Sequence, residues 1–354
     1  MTFRIEPGKP VGEEFRRVAL DEFEANLAHL RDPDVAGLAV AVHETRKSCK
    51  RLRALFRLVR PSIPDRRYRA LNANVRDAAR ELSASRDAQA LLTMFDDLIA
   101  AHGADVDGDL FIVRKGLEER TADVEWGETD GPPRPLVRAR ERLELARDTV
   151  ATTQVSGDGF RALRGGLTAT YRRGRRALAD LQRDGTAEQS HEWRKAVKYS
   201  WHHLQLLEDT APSVLAPTAA RFHQLSDALG DAHNLAVLRD VLENGSSSFG
   251  GSALVDPVLA MAVLSRADLE QRAIRLGLRL YAEPPRAYAL RLQAYWRAEL
   301  QVGDELPTGE LDDVVKAGGG DAPAVAGQTG PDGAEPGHGG ADQSELATYR
   351  PWPG

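Results

Sequence analysis

HETRKSCKRLRALFRLVR, residues His43 to Arg60, is the stretch that decides how this chain reads. At 100° per residue, His43, Arg46, Lys47, Lys50, Arg53 and Arg57 share one side of a helix; Leu52, Leu55, Phe56 and Val59 share the other. The helix therefore has an apolar back for packing and a cationic front. Like charges at i,i+3 and i,i+4 cost roughly 0.2–0.5 kcal/mol per pair, and Glu44 is the one acid in the stretch. Such a face makes most sense with an anion lying along it.

The stretch occurs twice. The pattern H-x-x-R-K-x-x-K returns as HEWRKAVK at His191 to Lys198, 148 residues later. His191, Arg194, Lys195 and Lys198 repeat the four positions, His202 and Gln205 continue the stripe, and Trp201 stands in place of Arg53. Beyond the motif, Leu82 to Leu91 (LSASRDAQAL) lines up with Leu229 to Leu238 (LGDAHNLAVL) at an offset of 147, with Asn234 in place of Asp87. The chain is an internal duplication.

Around these anchors, apolar periodicity predicts helices over Val11 to Arg31, about Val35 to Arg60 with Asp34 as cap, Arg66 to about Arg86, and Ala88 to Ala101. A weaker segment follows at Leu110 to Arg120, then Leu136 to Val150, Asp158 to Arg183, Ala187 to Asp209, Ser213 to Glu243, Asp256 to Tyr281 and Pro285 to Leu300. NGSSSFGGS, Asn244 to Ser252, reads as a flexible link. Gly174, inside YRRGRR, either costs about 1 kcal/mol as a mid-helix glycine or permits a close approach. Strand signals are scarce, so the fold class is all-α. The economical architecture is two helical bundles related by an approximate two-fold, each turning its cationic helix toward a shared groove. The expected layout is an extension at 1–10, repeats at about 11–150 and 157–300, and an acidic, disordered tail at 301–354.

The net charge of −6 hides a segregation. The tail holds ten acids against Lys316 and Arg350, so the rest of the chain is about +2. His43 to Arg76 alone carries eleven Arg or Lys against Glu44 and Asp65. Arg66, Arg67, Arg76, Arg172, Arg173, Arg175 and Arg176 extend the basic surface as secondary candidates whose direction depends on helix phase. The one cysteine, Cys49, excludes a disulfide framework, fits a reducing cytosol and reads as a structural thiol. The N-terminus has no signal-peptide core and no run of 18 apolar residues suggests a membrane span, so a cytoplasmic protein is expected.

The cations point to polyanion binding. Beside them, His43 and His191 are expected to be neutral; a bound polyanion would reverse that bias and raise affinity at mildly acidic pH. Metal binding finds little support: His202 and His203 are adjacent and cannot face one ion on a regular helix, and neither motif is HExxH. There is no GxxxxGK[ST] and no GxGxxG, and Asp87 and Asp231 are read as capping or Arg-paired acids, so no enzyme, cofactor or metal is expected. Nucleic acid through the same surface remains the main alternative, although aromatic side chains for base stacking are few. A phosphohydrolase with an unrecognised site is the other.

The sequence from about Val11 to Leu300 resembles the CHAD domain, the conserved histidine α-helical domain. The resemblance rests on His43-Arg46-Lys47-Lys50, LSASRD at Leu82 to Asp87, the Tyr171 to Arg176 segment, His191-Arg194-Lys195-Lys198 and Leu229-Gly230-Asp231. It implies two four-helix bundles with pseudo-two-fold symmetry enclosing a basic central cavity, inorganic polyphosphate as partner, and association with polyphosphate granules. It assigns binding to His43, Arg46, Lys47, Lys50, Arg53, Arg57, His191, Arg194, Lys195, Lys198 and His202. The triphosphatase domain that often accompanies the family has an ExExK strand motif missing here, which favours a stand-alone binder.

Overall fold

In a computed structural model, describing residues 3–305 except 32–36, 83, 105, 107 and 123–132, the chain is helical throughout. Among the described residues, the α-helices in chain order are α1 (Val11–Arg31), α2 (Leu38–Val59), α3 (Asp65–Glu81), α4 (Ala84–Ala101), α5 (Gly108–Ala122), α6 (Arg134–Ala151), α7 (Arg161–Asp184), α8 (Ala187–Leu206), α9 (Pro212–Asn244), α10 (Ser252–Leu280) and α11 (Pro285–Glu305). Asp34, the side chains of Arg86 and Asp87, and the chain after Glu305 lie outside what is described.

Local chemistry sets the ends. Glu13 and Glu14 in the first turn of α1, and His29 and Arg31 in its last, complement the helix dipole. α2 stops where Pro61 enters a 3-10 turn, Arg60–Ser62. α7 ends at Gly185, whose φ of 63° lets its amide donate to the Leu181 carbonyl at 2.9 Å. α8 opens with a capping box: the Thr186 hydroxyl accepts from the Gln189 amide at 3.2 Å, and the Gln189 side chain accepts from the Thr186 amide at 3.0 Å.

Two segments differ from the sequence expectation. The helix predicted to run to Arg86 breaks at Leu82, which caps α3, whereas the equivalent α9 is continuous. The Asn244 to Ser252 link is ordered: a 3-10 turn, Ser246–Phe249, seats Phe249 at 1% exposure against Gly116 of α5. One phenylalanine among small residues is enough to pin it. The N-terminal extension packs onto the helices: Ile5 is fully buried, its amide donates to the Leu206 carbonyl at 2.8 Å, and Arg4 bridges Glu208 and Asp209.

α2 lies at the centre, packed on α1, α3, α7 and α8. Its apolar back, Leu52, Leu55, Phe56 and Val59, is fully buried, Phe56 tilted against Phe15 of α1. Each such side chain contributes about 1.5–3 kcal/mol by leaving water. The buried apolar residues form two clusters that do not divide along the sequence halves. One joins α1, α2, α3, α6, α7, α8 and parts of α9, α10 and α11. In the other, the C-terminal half of α9 and the N-terminal half of α10 pack with α4 and α5. α9 has 33 residues, about 50 Å of helix, long enough to serve both clusters.

Glycines permit the tightest crossings. A Cβ on Gly166 of α7 would lie 1.9 Å from the Leu58 carbonyl oxygen of α2, so α7 crosses α2 backbone to backbone. A Cβ on Gly174 would lie 2.3 Å from the Tyr281 hydroxyl, so its role is close approach. Among the described residues no helix is long and apolar enough to cross a membrane.

Candidate functional site

The two helices that carry the motif touch, just beyond the C-terminal end of each copy. His203 of α8, 1% exposed, donates from Nε2 to the Ala54 carbonyl of α2 at 3.0 Å. At the next turn the Arg57 guanidinium lies 4.4 Å over the Tyr199 ring of α8. The duplicated helices are therefore direct neighbours, and Arg57 borders their joint.

On α2, Arg46 donates to the Leu82 carbonyl at 2.9 Å, and the Arg53 Nε donates to Asn72 Oδ1 at 3.1 Å. A carbonyl, an amide oxygen and an aromatic ring thus orient three arginines. For Arg53 and Arg57 these neutral partners set direction, and among the described residues no carboxylate pairs with either. Lys47 is exposed and 3.3 Å from Glu44, which lies 4.0 Å from His43 Nε2; Lys50 is half-buried.

On α8 the same pattern meets different neighbours. Arg194 corresponds to Arg46, and Gly230 of α9 stands beside the position that corresponds to Leu82. The Arg46 partner is a helix-end carbonyl, open because α3 breaks there. α9 does not break, so its carbonyls are used within the helix. The Arg194 guanidinium instead lies 3.4 Å from where a Gly230 Cβ would stand, its Nε buried without a hydrogen-bond partner among the described residues. Desolvation lowers its pKa, opposed by the charges of Asp231 and Asp227. Lys195 sits 2.8 Å from Glu192, which also binds Arg173 of α7. Flanked by these two cations, Glu192 is pulled down to about 2.

His191 lies 5.7 Å from the His233 ring, beside a notch of about 20 Å³ bordered by Arg194, Arg266 and Glu270. Its pKa is lowered by desolvation first, then by Lys195 and Arg194. Asp231 is pushed the other way, up to about 6, by desolvation and by Asp227 and Asp97, against Arg194 and Lys198. A half-buried carboxylate is thus embedded among the cations of the second copy, in the middle of a helix and opposite Arg194, so it is no helix cap.

Several candidates fall elsewhere. His202, placed on the stripe by periodicity, is 3% exposed. It stacks on Trp201 at 4.5 Å, meets the edge of Phe3, and donates from Nδ1 to Gln205 at 2.9 Å. The N-terminal segment covers this last turn, and burial holds His202 near 3, so it is a core group. Arg76 is committed to Asp77 at 2.8 Å, and Arg175 to the Glu283 carbonyl at 3.1 Å. Arg66, Arg172 and Arg176 are exposed, and Arg67 is half-buried. Cys49 is buried and its thiol is pushed up to about 12, which fits a structural role. Sequence reasoning passed over Tyr199, which stands on α8 itself, and Asn72, Asp97 and Asp227, which tertiary packing brings to the motif helices. A second cleft, about 200 Å³, lies between α1 and α2, where Asp21, Glu22 and Glu44 stand with Arg51, His29, Asn26, Ser48 and apolar side chains. Among the described residues no group of three or more His, Cys, Asp or Glu is arranged to hold a metal ion.

A family model for the CHAD domain matches residues 17–243, well over half of the chain. The chain belongs to the CHAD family. The crystal structure of the CHAD domain from the plant Ricinus communis superposes with a TM-score of 0.53 at 19% identity, covering 79% of this chain and 95% of that one. At that identity the likeness speaks for the fold, and the all-helical CHAD architecture is the one described above. No curated protein matches the chain. The matched span includes both copies of the motif and the α2–α8 joint.

Proposed function

We propose that this CHAD protein binds inorganic polyphosphate along the adjoining basic faces of α2 and α8, without hydrolysing it. The observation that carries the reading is the orientation of Arg53 and Arg57 by an amide oxygen and an aromatic ring rather than by carboxylates. Such arginines are held in place yet keep their charge for an external anion, and charge-assisted contacts to phosphate oxygens are the strong kind. Lys47, Lys50, Lys195 and Lys198 add point charges along the same two helices. A polyphosphate chain has no bases to stack, and the aromatic ring at the joint, Tyr199, is 8% exposed and covered by Arg57. This weighs against base recognition through the same face. Residence in the cytoplasm, with recruitment to polyphosphate granules, follows from the same proposal.

The test is direct titration. Arg53→Gln and Arg57→Gln should each weaken polyphosphate binding about tenfold, with helicity by circular dichroism retained. Orthophosphate release should stay at background with and without Mg²⁺. Unchanged affinity in both variants would remove the proposed site, and sustained phosphate release would remove the non-enzymatic reading.

A further inference from the structure

α10 buries one side, Val258, Ala262, Ala273 and Gly277. At 100° per residue, Leu264, Ala267, Gln271, Ile274 and Leu278 fall within about 80° on the other side. Their spacing alternates between three and four residues, as in the seam of a coiled coil. Leu264 is 67% exposed and Leu278 49%; Ala267 and Gln271 are exposed and Ile274 is half-buried. One exposed leucine is ordinary on a protein surface. Here two of them close the ends of a seam that has a glutamine at its middle.

The charges beside the seam say what covers it. Asp268 and Arg275 flank it on the same side, and both are exposed. Arg275 has Gln271, Arg272, Leu278 and Arg279 at its i±3 and i±4 positions, so α10 itself offers it no acid. Asp268 lies 2.6 Å from Arg272 of its own helix, an exposed contact of little strength. Turned antiparallel about a two-fold axis at Gln271, a second α10 sets its Leu278 opposite Leu264 and its Ile274 beside Ala267. Such an axis keeps each flank on its own side. Asp268 therefore comes within one residue, about 1.5 Å along the helix, of Arg275 of the second copy, and the pair forms twice. Parallel pairing would instead bring Arg272, Arg275 and Arg279 of the two copies together.

We infer that α10 is a self-association surface, on which two copies of this chain pair antiparallel through Leu264, Ala267, Gln271, Ile274 and Leu278. Gln271 and the two Asp268–Arg275 pairs set the register. The seam runs about four turns, so the interface lies below about 1,200 Å² in total, the size of a weak and reversible dimer. A dissociation constant of about 10–100 µM is expected. The inference is independent of the polyphosphate reading, because neither the contact nor its assay involves phosphate.

Sedimentation velocity of the full chain across about 1–500 µM tests it. Arg275→Asp and Asp268→Arg, each of which sets like charges opposite one another, should weaken the dimer about tenfold with circular dichroism unchanged. The double reversal should restore it to within about twofold. Orientation is read by oxidation: Leu264→Cys mixed with Leu278→Cys should cross-link more than either variant with itself, and the native Cys49 is buried. A monomer throughout that range, or a dimer indifferent to both single reversals, would overturn the inference. Cross-links of each cysteine variant with itself in preference to the other would overturn it as well.

Discussion

Asp231→Asn separates the charge logic of the second motif copy from its packing. Asp231 sits at about 6 because desolvation, Asp227 and Asp97 outweigh Arg194 and Lys198. Above that value the ionised carboxylate is held in a place that disfavours it. The folded-state pKa is raised from 3.8, so the group contributes stability below about pH 3.8 and loses it as pH rises through about 6. A shift of about two units corresponds to about 3 kcal/mol, and solvent screening of a half-buried group brings this to about 1–2 kcal/mol. The asparagine variant should therefore be more stable than wild type by that amount at about pH 7.5 in urea denaturation, the gap closing as pH falls below 6. Polyphosphate affinity should move in parallel: higher in the variant at neutral pH, and rising in wild type as acidification neutralises Asp231. A variant less stable than wild type at neutral pH, or a gap independent of pH, would refute this account.

Other predictions concern packing and charge. Gly166→Ala forces a methyl group onto the Leu58 carbonyl and should destabilise by about 1–3 kcal/mol despite a helix-propensity gain near 1 kcal/mol. Gly230→Ala meets only the flexible end of Arg194 at 3.4 Å and should leave the urea midpoint unchanged or raised. Burial depresses His202 and His203 from 6.5 to about 3, so the stability they contribute when neutral is present above pH 6.5 and is lost as pH falls toward 3. A urea midpoint flat across that window would contradict it. Reversing Lys47 and Lys195 together to Glu should abolish polyphosphate binding while far-ultraviolet circular dichroism stays unchanged.

The helices were legible because their apolar stripes are long and regular: the predicted first helix, Val11 to Arg31, matches α1 at both ends. The repeat of H-x-x-R-K-x-x-K was enough to pair α2 with α8 as the two helices that carry the motif, and the structure sets them side by side. What escaped was set by contacts distant in sequence. The break at Leu82 has no Gly or Pro to announce it, and Phe249 looks like linker until Gly116 receives its ring. His202 follows the cationic periodicity faithfully, yet the segment around Phe3 folds over it. The raised pKa of Asp231 depends on Asp97, more than a hundred residues away, and no local pattern encodes that meeting.

The central claim is that the joined faces of α2 and α8 recognise polyphosphate. Competition at physiological salt tests it most directly: labelled polyphosphate on the full chain, displaced by unlabelled polyphosphates of increasing length, single-stranded RNA and duplex DNA. Displacement by polyphosphate at lower phosphate-equivalent concentration than by either nucleic acid is the predicted result. Equal or better displacement by RNA or DNA would contradict it.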